Sequence, residues 1–125
     1  MIRLLGDESA GDVTVLRFSG EIDEYSVSSL RSVLKCKLRA RCPALLLDFT
    51  AVTYVNSRGM GALIEYWREA RNFGGYFAIV GLRESLREIF HIVHLDESFR
   101  LHPTIESAMV ELSSVEPRVA APFAG

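Results

Sequence analysis

Long apolar runs are missing from this sequence. Nowhere do about 18 apolar residues follow one another, so no segment reads as a membrane-spanning helix. A basic excess is missing too. With 14 Lys+Arg against 16 Asp+Glu the formal net charge is −2, and a pI near 5.9 provides no positive field for nucleic acid. The first residues, MIRLLGDESAG, lack the apolar core and cleavage site of a signal peptide, so a cytoplasmic protein is expected. Cysteine is scarce. Cys36 falls in a helical pattern and Cys42 just before a strand, with no histidine near them in sequence, which does not make a zinc motif. Reduced thiols are the expectation, and a disulfide stays open. No internal repeat is visible.

What is present is enough apolar material for one core. The chain has 125 residues, 49% of them hydrophobic. A domain of this size buries roughly two-thirds of its unfolded surface and needs no staples. The most informative stretch is Ala44 to Gly61, ALLLDFTAVTYVNSRGMG. Leu45, Leu46, Leu47 and Phe49 are apolar on both faces and too few for a helix, which predicts a buried central strand over 44–49. After Ser57, apolar residues fall at Met60, Leu63, Ile64 and Trp67, one face of a helix predicted over 57–73 and stopped by Gly74 and Gly75. Asn56 and Ser57 both have side-chain oxygens that cap helices. Ser57 therefore reads equally as a plain cap and as a functional serine presented beside free backbone N–H groups, where the helix dipole favours negative charge.

The remaining elements alternate. Val13 to Phe18 predicts a strand, with Ile2 to Leu5 a shorter one before it. Ser26 is a candidate cap for a helix with Val27, Leu30, Leu34 and Leu38 on its apolar face. Tyr76 to Val80 is a further strand; Leu86, Ile89, Phe90 and Val93 mark a short helix, and Ile105, Ala108, Met109 and Leu112 the last. Strand and helix in alternation imply parallel crossovers, and the domain is expected over 1–112 with a disordered tail over 113–125.

Catalytic patterns fit poorly. A hydrolase nucleophile elbow needs glycine two residues before and two after the serine; Gly59 meets the second requirement, but Val55 occupies the first. Gly59 and Gly61 resemble the start of a dinucleotide loop, yet Ile64 stands where the third glycine belongs, and there is no phosphate-binding Walker sequence. His91, His94 and Asp96 form a weak metal pattern whose plainer reading is a solvated helix end. Trp67 reads as core, and Glu65, Arg68, Glu69 and Asn72 as the wet face of the same helix. No enzyme, cofactor or metal is expected.

The segments FSGEIDEYSVSSLRSVL, LLLDFTAVTYVNSRGMGAL and LREIF together resemble the STAS domain of sulfate transporters and anti-sigma factor antagonists, from about Val13 to Leu112. Its two signatures here are Gly20-Glu21-Ile22-Asp23 and Asn56-Ser57-Arg58-Gly59. The resemblance implies an α/β STAS-like fold, with a mixed, mostly parallel sheet of about four or five strands and about four helices. It implies an anti-sigma factor antagonist that binds a partner acting as both anti-sigma factor and serine kinase. Phosphorylation of Ser57 would end that binding and a serine phosphatase restore it. The partner-binding positions carried over are Asp23, Asn56, Ser57, Arg58, Gly59 and Met60, with a homodimer left open. Three positions depart from the family pattern: Asn56 replaces an aspartate, Arg58 a small hydroxyl residue, and His94 a glycine. The runner-up readings are a STAS subunit on the ATPase of a lipid-transporting ABC system and a scaffold protein of a stress-signalling complex.

Overall fold

The computed structural model describes residues 2–94 and 99–124, with side chains described to Ser114. The strands are β1 (Ile2–Ala10), β2 (Val13–Ile22), β3 (Ala44–Val55), β4 (Tyr76–Val80) and β5 (Arg100–His102). The helices are α1 (Val27–Arg39), α2 (Ser57–Asn72), α3 (Glu84–Ile92) and α4 (Ile105–Ala124). The sheet order is β1-β2-β3-β4-β5, with β1 antiparallel to β2 and every other neighbouring pair parallel. This is the mixed, mostly parallel sheet that the resemblance implied.

The core lies on both faces of the sheet. On one face Leu45, Leu47, Phe49 and Ile79 meet Leu30, Leu34 and Leu38 of α1, Leu63 and Tyr66 of α2, and Leu86 and Phe90 of α3. Burying each such side chain contributes about 1.5–3 kcal/mol, so this cluster dominates the stability. Trp67 belongs to it, 5.8 Å from the Phe99 ring. Glu65, Arg68, Glu69 and Asn72 are exposed. On the other face Ala108 and Leu112 of α4 cover Ala44, Leu46, Tyr76, Ala78 and Val80. There the Tyr76 hydroxyl donates to Glu111 Oε1 (2.6 Å), which also accepts from Arg100 (2.9 Å) and lies 3.2 Å from His102 Nε2. Burial opposes the Glu111 charge, but the Tyr76, His102 and Arg100 donors outweigh it and hold the carboxyl at about 2.

Several boundaries differ from the sequence reading. β3 runs on to Val55 instead of ending at 49. Its first part pairs on both sides, but its last part pairs only with β2, and register shifts there break the two-residue alternation that would have marked a strand. β1 and β2 are longer than expected for the same reason, being pairing-driven where the pattern turns polar. β5 is only three half-buried residues, below what periodicity detects. α4 spans Ile105–Ala124, and among the described side chains its last buried one is Leu112. Ser26 occupies the residue before α1 but makes no side-chain cap bond. Cys36 and Cys42 are free thiols. Asp96 lies outside the described residues.

His94 adopts φ 61°, in the left-handed region, just past the end of α3, and its N–H donates to the His91 carbonyl (3.0 Å). That conformation is what a helix C′ glycine supplies without steric cost. His94→Gly is expected to raise stability by about 1 kcal/mol, which a urea unfolding curve measures as a higher midpoint at unchanged slope. An unchanged midpoint contradicts it.

Candidate functional site

The carboxyl ends of β2 and β3 lie side by side, with Ile22 opposite Val55. The Asn56 N–H donates to the Ile22 carbonyl (2.9 Å), so the two signatures are tied together by the backbone itself. This joint brings Asp23 and the 56–60 turn to one edge of the molecule.

Asn56 settles which residue caps α2. Its backbone is extended (φ −86°, ψ 179°) and its Oδ1 accepts from the Gly59 N–H at 2.8 Å, while its carbonyl accepts from the Met60 N–H. Ser57 is thus the first helical residue. Its hydroxyl is exposed and has no hydrogen-bond partner among the described residues. The Ser57 and Arg58 N–H groups belong to the unsatisfied first turn of a helix, and no acidic side chain lies in that turn. Arg58 is exposed beside them.

Gly59 and Met60 turn the other way. Gly59 is buried, and Met60 is half-buried against the core. A Cβ on Gly59 would sit 2.5 Å from Ile22 Cγ2 and 3.0 Å from Val55 Cγ1. Only a glycine lets the helix start this close to both strand ends.

Asp23 organises the neighbouring turn. Its Oδ1 accepts from the N–H groups of Tyr25 (3.0 Å) and Ser26 (2.9 Å), and its carbonyl accepts from Val27 N–H (3.0 Å). The Ser26 hydroxyl accepts from Asp23 N–H (2.9 Å) and donates to the Glu21 carbonyl (2.8 Å). Ser26 therefore closes the loop before α1 and does not cap the helix, because its oxygen is committed to the β2 end. At Asp23 desolvation favours the neutral acid, but the Ser26 hydroxyl and the Ser26 and Tyr25 N–H groups prevail and hold the carboxyl below its ordinary range.

Two residues escaped the sequence reading. Tyr25 is 83% exposed and Tyr54 47% exposed, one in the turn after Asp23 and one just before Val55. The available signal for Tyr54 was its position off the inward row, since Val52 and Val55 are the buried residues of that segment.

A family model described as the STAS domain matches residues 7–108. The chain belongs to the STAS domain family. This STAS domain is similar to the anti-sigma-F factor antagonist RsfB of Mycobacterium tuberculosis, 28% identical over 97 residues that cover 78% of this chain and 79% of that one. It superposes on the crystal structure of an anti-sigma factor antagonist from Mycobacterium paratuberculosis with a TM-score of 0.81 and 28% identity, covering 90% of this chain and 95% of that one. The anti-sigma factor antagonist SpoIIAA in its unphosphorylated form shares the fold at 16% identity and TM-score 0.68, over 91% of this chain and 98% of that one. Among the described residues of this STAS domain, no helix is long and apolar enough to cross a membrane.

Proposed function

We propose that this STAS domain is an anti-sigma factor antagonist, a binding module and not an enzyme, whose partner surface surrounds Ser57. The reading rests on one observation: the Ser57 hydroxyl is exposed and unengaged on a helix that Asn56 already caps. The similarity to proteins named anti-sigma factor antagonists supplies the partner class. In this reading the partner is both anti-sigma factor and serine kinase, binding it frees a sigma factor, and phosphorylation of Ser57 reverses the binding until a serine phosphatase resets it.

The chemistry of the turn supports such a switch. A phosphate adds about −1.5 to −2 charge and three acceptor oxygens. The free N–H groups and dipole at the start of α2 favour that charge, and the exposed Arg58 guanidinium matches it in bidentate geometry. The fold therefore tolerates the modification. A partner closed over the hydroxyl does not, because it meets added bulk and a desolvated charge. Tyr25, in the turn after Asp23, and Tyr54, three residues before Ser57, supply exposed aromatic area, the residue type that anchors interfaces. Asn56 preserves the cap that an aspartate provides while removing its charge from beside the hydroxyl.

Affinity capture from host lysate with wild-type, Ser57→Ala and Ser57→Asp baits tests the proposal. Wild type and Ser57→Ala are expected to retain a kinase-like ATPase, and Ser57→Asp to bind it about a hundredfold more weakly. Equal capture by all three baits would sink the switch, and capture of a transporter ATPase by all three would make this a structural subunit.

A further inference from the structure

The two edges of the sheet differ. β5 offers three residues, whereas β1 offers nine and, among the described residues, has no strand on its outer side. Every second residue of such an edge turns its N–H and C=O outward, unpaired by the sheet. From Arg3 to Ala10 β1 is exposed apart from the half-buried Gly6, and Leu4 and Leu5 are 41% and 57% exposed.

We propose that β1 is an association surface for a second copy of this chain, the two strands pairing antiparallel about a two-fold axis that passes between Leu5 and Gly6. The argument comes from a bulge. Leu4 pairs with Phe18 and Gly6 with Arg17, so Leu5 is an extra residue in β1. Arg3 pairs with Ser19 and Glu8 with Val15, and those partners sit four apart on β2, hence on one face of the sheet. The bulge thereby places Arg3 and Glu8 on the same face, although they are five positions apart and a regular strand would put them on opposite faces.

A two-fold axis between Leu5 and Gly6 then sets Arg3 of each copy opposite Glu8 of the other, with both side chains on one face. Centring the pairing on Asp7 or on Glu8 sets like charges against each other instead, which disfavours those two registers. Arg3 has no acidic partner among the described residues. Glu8 has only an exposed pair with Arg17 at 3.3 Å, which leaves its second oxygen available. Charges on an edge strand ordinarily discourage pairing; here Arg3 and Glu8 attract each other across the proposed axis. Two short strands bury less than a standard interface, so the association is weak and concentration-dependent.

Sedimentation velocity at low salt, from micromolar to high-micromolar protein, tests this with four full-length chains: wild type, Arg3→Glu, Glu8→Arg, and the double reversal. Wild type is expected to shift from monomer to dimer with concentration. Each single reversal turns both symmetry-related ion pairs into repulsive pairs and weakens association about tenfold. The double reversal restores it. Thermal melts of the same samples establish that each variant is folded. A wild-type monomer at every concentration overturns the proposal, as does a dimer that both single reversals leave unchanged. A folded double variant that stays monomeric overturns the register.

Discussion

Gly81→Ala is expected to lower unfolding free energy by about 3 kcal/mol. Gly81 follows β4 with φ 71°, and its N–H donates to the His102 carbonyl at 2.9 Å, so the conformation is held from the β5 side. A residue with a Cβ costs about 1–2 kcal/mol in that left-handed region. The Cβ would also collide with Thr50 Oγ1 and lie 3.2 Å from Thr50 Cβ and 3.3 Å from Thr50 Cα. Such overpacking costs a further 1–3 kcal/mol, by order of magnitude about as much again. Thr50 has little freedom to swing away, because its hydroxyl donates to Asp48 Oδ1 (2.6 Å) and its N–H to the same oxygen (3.0 Å). Urea unfolding measures the loss. Adding Thr50→Ala to Gly81→Ala removes the hydroxyl collision and is expected to recover part of it, leaving the backbone cost. A Gly81→Ala midpoint equal to wild type excludes both effects.

Two glycines in Gly59-Met60-Gly61 are expected to answer alanine with opposite signs. Gly59→Ala drives a methyl group to 2.5 Å from Ile22 Cγ2 and 3.0 Å from Val55 Cγ1, both rooted in strand ends that other core residues hold in place. The helix start must move outward, at a cost of about 1–3 kcal/mol. Gly61 has nothing within 4 Å of its added Cβ and lies inside α2. Alanine there only removes the entropic penalty of a helical glycine and is expected to add about 0.5–1 kcal/mol. Differential scanning calorimetry of the two variants reads the signs directly. If both fall, or both rise, the close approach of α2 to β2 and β3 is not what constrains this turn.

The elements legible in the sequence were those whose pattern is local. Leu30, Leu34 and Leu38 mark the buried stripe of α1, and the double-faced run at 44–49 marks the part of β3 with a neighbour on each side. The far part of β3 was illegible because pairing to β2 alone, through register shifts, fixes it. At the site, composition supplied two capping residues and no means of choosing between them. The choice lies in the extended backbone of Asn56 and its 2.8 Å bond from the Gly59 N–H. Ser26 misled for a similar reason: its hydroxyl answers to the Glu21 carbonyl, five residues earlier and on another element, as much as to its own helix. The departure at His94 was visible only against a family pattern, and its physical content is a left-handed backbone.

The capping of α2 by Asn56 has a consequence for how this chain varies over time. Because the neighbour carries the structural duty, position 57 is a side chain the fold does not consult. Serine, threonine, alanine or an acidic residue there leaves the helix start equally well anchored. Under the proposed phosphorylation switch, a lineage can therefore lock the protein in one signalling state, or return it to a reversible one, by a single codon change and without a compensating change in the core. Division of labour between two adjacent residues would make the proposed switch and the scaffold separately heritable.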